Sequence, residues 1–258
     1  MTQRIDLNSD IGESFGAWTM GDDAGVLAHV SSANIACGFH AGDPDTMRRT
    51  VELAARAGVA IGAHVSLPDL QGFGRREMKL GADEAYALTL YQIGALAGFA
   101  HAAGTRLRHV KPHGALYNMA ARDAGLADAI ARATHDFDAA LVLVGLAGSE
   151  LPRAGERAGL RVAHEAFADR RYEKDGSLTP RREADAVIED VDAAVAQALA
   201  IAMRGEVATR DGAVLQLRAD TICVHGDRPN AAVFAARLCA ALRTAGLPVM
   251  APGARRSA

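Results

Sequence analysis

Five short stretches each end an apolar run with Gly beside Asp, Glu, His or Lys, the residue types that move protons, bind metals and neutralise anions. In the first, residues 5–13, Asp10 and Glu13 flank Gly12; paired carboxylates can divide acid and base roles or share a metal, whereas Glu13 can also simply cap the next turn. The second, residues 33–43, carries Gly38-Phe39-His40-Ala41-Gly42-Asp43, whose glycines let backbone approach a ligand closely. There His40 reads as general base or ligand, and Asp43 equally as a site residue or as the N-cap of the following helix. His64 closes the third stretch, 59–64, just before a long loop. In the fourth, 108–114, Lys111 and His113 bracket Pro112, which stiffens the strand exit and fixes both side-chain directions. In the fifth, 221–227, His225 and Asp227 flank Gly226, an arrangement in which a carboxylate can fix the imidazole tautomer. Glu165, Asp169 and Arg170 follow a further strand-like run, where Arg170 suits bidentate pairing with a substrate carboxylate or a solvated charge cluster. Only Lys79, Lys111 and Lys174 among the 28 basic residues are lysines, so Lys111 reads as a place where a compact ammonium is wanted.

Residues of this kind gathered at strand ends need a scaffold that brings strand ends together. Strand-like runs near 4–8, 32–37, 59–64, 107–111, 140–145, 161–166 and 220–225 alternate with helical patterns, which predicts parallel strands covered by helices and chemistry on the rim at the strands' C-terminal ends. Helices are expected after Asp43-Pro44, ending at Gly58; from Asp83-Glu84 to Gly104; from Glu183 to Met203; and from Pro229 to Ala245. Long loops are expected at 65–82 and 167–182, functional by their length. A hairpin is expected around Asp211-Gly212, and Trp18, the sole tryptophan, reads as a packing lid over the barrel end. The 258 residues suit one barrel domain, with 253–258 as a flexible tail.

A net charge of −3 offers no basic field for nucleic acid or anionic lipid, and no apolar run reaches the length of a membrane span. Three widely spaced cysteines argue for a reducing compartment, and an apolar strand begins almost at Met1, so a cytoplasmic protein without signal peptide is expected. Phosphate-loop, nucleophile-elbow, Cys-x-x-Cys and His-Glu-x-x-His motifs are all missing.

Asp6-Leu7-Asn8-Ser9-Asp10-Ile11-Gly12-Glu13, the 33–44 block, Val110-Lys111-Pro112-His113-Gly114-Ala115-Leu116-Tyr117-Asn118, Glu165-Ala166-Phe167-Ala168-Asp169-Arg170 and Val224-His225-Gly226-Asp227, taken in order, resemble the LamB/YcsF-type family, the A subunit of bacterial 5-oxoprolinase. Two departures are visible: Val65 where the family usually has Pro, and Arg228 where a small hydroxyl residue is usual.

The resemblance implies a distorted TIM-like (β/α)7 barrel of the glycoside hydrolase and deacetylase type. It also implies ATP-dependent opening of 5-oxo-L-proline to L-glutamate with B and C subunits, using ATP with Mg2+. On that reading Asp10, His40, His64, Lys111 and His113 are catalytic, and Glu13, Asp43, Glu165, Asp169, Arg170, His225 and Asp227 bind substrate or ATP. Lys111, with Arg170, would neutralise a phosphorylated oxygen or a substrate carboxylate, while the acid and imidazole groups activate water. Two other readings stand beside it: a metal-dependent deacetylase or amidohydrolase with Asp10, His40 and His64 as ligands, and a non-catalytic substrate-binding subunit.

Overall fold

The computed structural model describes residues 4–226 and 230–253. Asp227 and Arg228 lie outside the described residues, as does the expected tail apart from Gly253. Seven parallel strands close into a barrel: β1 (Asp6–Ile11), β2 (Ser32–Ala36), β3 (Ala60–Val65), β4 (Leu107–Pro112), β5 (Val142–Leu146), β6 (Arg161–Phe167) and β9 (Thr221–His225), with β9 paired to both β6 and β1. The helices between them are α1 (Asp23–Leu27), α2 (Pro44–Ala57), α3 (Ala82–Ala102), α4 (Gly114–Ala120), α5 (Ala124–Phe137), α6 (Glu150–Arg157), α7 (Val191–Arg204) and α8 (Ala231–Thr244). A short antiparallel hairpin, β7 (Glu206–Ala208) with β8 (Val214–Gln216), forms around Asp211-Gly212 as expected.

Every barrel strand is shielded on both sides, yet the two sides differ in chemistry. Leu7, Ile11, Ile35, Ala63, Val110, Leu143, Ile222 and Val224 belong to the main apolar core shared with helix residues such as Val51, Ile93, Leu96, Ile130 and Leu238. Alternate positions along the same strands point into the barrel. There Val142, Val144 and Ala163 form a small apolar cluster of their own, and the rest of the lumen is filled by a buried polar lattice. At one end Asp6 accepts from the hydroxyls of Ser31, Ser32 and Thr221; at the next level Asn8 donates to Glu165 and Thr221 while Asn34 donates to Asn8 and Asp10. His109 donates to Asn34 at 2.7 Å, and its ring occupies the space a side chain at residue 62 would need, which is why mid-strand Gly62 has no Cβ. Burial, with Lys111 nearby, pushes His109 down to about 3, so it donates as a neutral imidazole.

Asp side chains start four of the helices by accepting a backbone N–H: Asp22 before α1, Asp43 before α2, Asp123 before α5 and Asp190 before α7. The last of these corrects the expected helix from Glu183: residues 183–190 are turns and extended chain, and the helix begins only where Asp190 caps Ala193 N. Trp18 also departs from expectation; it is 72% exposed, stacks on Phe15 and covers no part of the barrel. The cysteines are buried free thiols, and no described helix is long and apolar enough to cross a membrane.

Candidate active site

Two long loops stand over the C-terminal ends of the strands, and each is pinned by a glutamine from the helix that follows it. Gln92 of α3 accepts from Ser66 N and donates to Ser66 O, while Gln197 of α7 donates to the carbonyls of Phe167, Ala168 and Arg170. In the first loop Asp69 accepts from Gly72 N and from the side chain of Arg76, folding the chain so that Gly74 approaches His40 and His113 too closely for any side chain. Phe73 just before it sits at φ 55°, a conformation non-glycine residues adopt at some energetic cost, and its carbonyl accepts from His113 Nε2 at 2.9 Å.

These loops and the strand ends enclose a cavity of about 800 Å³ lined by Asp10, Glu13, His64, Lys111, His113 and His225 among others. At its base Lys111 Nζ lies 2.8 Å from Asp10 Oδ1 and 2.8 Å from Glu165 Oε1, and also donates to Asn8 and Cys223. Burial opposes the charge on Lys111, but Asp10, Cys223 and Glu165 outweigh it and hold the ammonium well above the usual lysine range. Burial likewise opposes the charge on Asp10, and His64 and Lys111 outweigh it, holding the carboxylate well below its usual range. The pair is therefore an ion pair at neutral pH, and Lys111 is a fixed cation rather than a proton acceptor.

Asp10 links this pair to a cluster of imidazoles. Its Oδ2 is 3.3 Å from His64 Nε2, which is in turn 3.0 Å from His113 Nδ1. His64 Nδ1 donates to Lys111 O at 2.9 Å. His40 is fully buried, stacked on His113 with ring centroids 3.9 Å apart, and has its Nε2 3.7 Å from Glu13 Oε1. Burial, reinforced by the neighbouring rings, holds both His40 and His113 well below the usual histidine range, so both are neutral. One donor atom from each of Glu13, His40, His64 and His113 lies within 4.8 Å of the others; Asp10, Cys223 and His225 form a second such group, but there the Cys223 sulfur already receives Lys111.

Across the cavity His225 Nδ1 donates to Asp169 at 2.9 Å, while Arg181 donates to its Nε2 at 2.6 Å. Arg75, Arg122, Arg181 and Arg182 line the rim together with Glu77, Glu173 and Asp175.

Asp10, Glu13, His64, Lys111, His113 and His225 thus line one cavity, with His40 stacked behind His113 and Asp169 bonded to His225, although the sequence pairs several of them differently. Asp10 belongs first with Lys111, and Glu13 and His113 take the places beside His40 and His64 where Asp10 was expected. Asp169 is the carboxylate placed on His225 among the described residues, and the expected partner Asp227 lies outside them. Asp43 stands outside the cavity lining; one oxygen accepts from Thr46 N and the other from Gly16 N, so it is a helix cap that ties down a loop. Glu165 is fully buried within the barrel, holding Lys111 and accepting from Tyr117, rather than facing the cavity. Arg170 lines the cavity and also donates through Nε to Ala186 O and through Nη2 to Thr179 O, which braces the second loop. Asn8, Asn34, His109, Tyr117 and Arg181 were not singled out from the sequence. Period-two spacing would have found Asn8 and His109, because Asp6, Asn8 and Asp10 occupy one face of β1, and His109 and Lys111 one face of β4 leading to His113.

A closed barrel of parallel strands with an ionic and imidazole-rich cavity at the strands' C-terminal ends is the arrangement of a barrel enzyme. The LamB/YcsF family model matches residues 5–256, and the chain belongs to that family. It is 63% identical over 253 residues to the A subunit of 5-oxoprolinase from Methylococcus capsulatus, covering 98% of this chain and 97% of that protein. It is 56% identical over 254 residues to the corresponding 5-oxoprolinase subunit of Bacillus subtilis, covering 98% and 99%. Among solved structures it superposes on a lactam utilization protein from Thermus thermophilus with a TM-score of 0.90 at 48% identity, over 96% of this chain and 99% of that one. A T48 deacetylase shares the fold alone, with a TM-score of 0.51 at 15% identity over 96% of this chain and 88% of that one.

Proposed function

We propose that this chain is the A subunit of an ATP-dependent 5-oxoprolinase, which opens the cyclic amide of 5-oxo-L-proline to L-glutamate together with B and C subunits. The observation that carries the reading is 63% identity along nearly the whole chain to a protein named as that subunit. The cavity's chemistry supports it. Opening a lactam requires water to add to the carbonyl carbon, negative charge to gather on the carbonyl oxygen, and the ring nitrogen to leave with a proton. Lys111, held cationic between Asp10 and Glu165, keeps Asp10 ionised at the cavity base. His225, oriented by Asp169, is the group suited to move a proton, and Arg181 against its Nε2 puts an anion-binding guanidinium beside it. Asp10, kept ionised, is placed to accept a proton from the attacking water.

A bound nucleotide is a separate matter for this chain. The rim arginines suit a carboxylate or a single phosphoryl group, but Glu77, Glu173 and Asp175 share that rim and no Gly-rich phosphate cradle lines the cavity among the described residues. The step assigned to this chain is opening of the amide.

Glutamate formation from 5-oxoproline and ATP tests the reading, with this chain alone and then with its B and C partners. The expected result is none alone and sustained turnover with all three; turnover that persists when this chain is omitted would overturn it.

A further inference from the structure

The hydrogen bonds around His64 and His113 leave an unbalanced pair of nitrogens. A backbone carbonyl only accepts, so His64 Nδ1 carries the proton it gives to Lys111 O, and His113 Nε2 carries the proton it gives to Phe73 O. The two remaining nitrogens, His64 Nε2 and His113 Nδ1, then turn lone pairs towards each other at 3.0 Å. A contact of that kind needs a cation between the rings, either a proton on His64 Nε2 shared with Asp10 Oδ2 at 3.3 Å or a metal ion, and the neighbouring residues favour the metal. Close by, His40 is fully buried, and neither of its ring nitrogens makes a hydrogen bond among the described residues. Its Nε2 approaches the Glu13 carboxylate, so three imidazoles and one carboxylate converge with donor atoms within 4.8 Å of one another.

We propose that Glu13, His40, His64 and His113 bind one divalent transition-metal ion at the inner wall of the cavity. Imidazole nitrogens anchored through their other N–H to backbone carbonyls are the usual outer support of a metal-ligating histidine, and two of these rings have it. The left-handed Phe73 and the close-packed Gly74 set that support in place for His113. A donor set of three nitrogens and one oxygen favours zinc, cobalt or nickel over magnesium, which prefers oxygen ligands and keeps its waters. Tetrahedral bonds of about 2.0–2.1 Å separate neighbouring ligand atoms by roughly 3.4 Å, so binding draws in the Glu13 contacts, now 3.7 Å to His40 and 3.9 Å to His113, and opens the 3.0 Å contact between His64 and His113. Asp10 stays outside this set, paired with Lys111 and within 3.3 Å of His64.

The test uses the full chain without an affinity tag, stripped by a chelator and then given zinc, cobalt or magnesium. Metal retained after gel filtration is measured by elemental analysis, and the visible spectrum of the cobalt form is recorded. The expected result is one equivalent of zinc or cobalt per chain, no retained magnesium, and cobalt bands of the intensity of four- or five-coordinate nitrogen-rich ligation. His113→Ala and Glu13→Gln each weaken binding by about 100-fold, and His135→Ala, an exposed histidine on α5, leaves it unchanged. Wild-type protein that retains less than about a tenth of an equivalent, or whose cobalt spectrum matches the hexaaqua ion, overturns the proposal without any variant. Binding that survives undiminished in a folded Glu13→Gln protein overturns it too, and that variant keeps side-chain volume should His113→Ala fail to fold. Metal retained by a chain that gives no glutamate with its partners would leave this site standing and remove the functional reading.

Discussion

Replacing Lys111 by Met probes the cavity base most sharply, because it keeps the side chain's length and apolar stem and removes only the ammonium. Asp10 and Glu165 would then face each other, buried, with no cation between them. Removing one partner of a buried ion pair costs about 3–5 kcal/mol, because the charge left behind is uncompensated. The cost has a definite pH dependence. Asp10 then loses one of the charges that hold its carboxyl below the usual range, so the loss is full at neutral pH and fades as pH falls and the carboxyl takes a proton. Urea unfolding followed by far-UV circular dichroism, at about pH 7.5 and about pH 5, measures it. Fluorescence is a poor choice here, because the one tryptophan, Trp18, sits 72% exposed away from the barrel. Lys111→Met should be less stable than wild type by about 3–5 kcal/mol near neutrality and by clearly less at the acidic condition. Adding Glu165→Gln should restore part of the loss. A Lys111→Met protein within about 1 kcal/mol of wild type at both values would refute the reasoning.

Asp6 offers a second test, at the opposite end of the barrel. Burial pushes its carboxyl up from 3.8 to about 6 despite hydrogen bonds from Ser31, Thr221 and Ser32, a difference equivalent to about 3 kcal/mol. Because the folded state holds this proton more tightly than the unfolded chain, its contribution is full below about pH 4 and is lost as pH rises through about 6. Asp6→Asn should remove that slope, and a variant whose stability keeps the wild-type pH dependence would count against it. In the reconstituted complex, Asp169→Asn should lower kcat by about 10²- to 10⁴-fold with little change in KM, since Asn in place of the carboxylate no longer stabilises a protonated His225. A change confined to KM would show that Asp169 serves binding alone.

Much of the barrel could be read from the sequence because its strands are apolar runs bounded by Gly and Pro and its helices carry Asp caps. The seven expected strand positions coincide with the barrel strands to within a few residues. The helix expected from Glu183 failed for a local reason: Asp190 is a competing start signal, and Arg210 draws Glu183 and Asp185 towards the hairpin. Convergence of the candidate residues was legible from their strand-end positions, but their pairings were not. Lys111 to Asp10 spans 101 residues and Asp169 to His225 spans 56, and chain-local spacing carries no information about such partners. The bracing bonds of Arg170 and the buried place of Glu165 were not legible, because charge in a strand-end segment looks alike whether it faces a ligand, a buried lysine or a backbone carbonyl.

The most direct measurement is the initial rate of glutamate release by the three-subunit complex carrying Asp10→Asn in this chain. Asp10 joins the cationic pair to the imidazole cluster, and the substitution leaves Lys111 still paired with Glu165, so the fold should persist. A fall of about 100-fold or more in a complex that assembles normally is the expected result. A rate within about threefold of wild type would mean that the amide is opened somewhere other than this cavity.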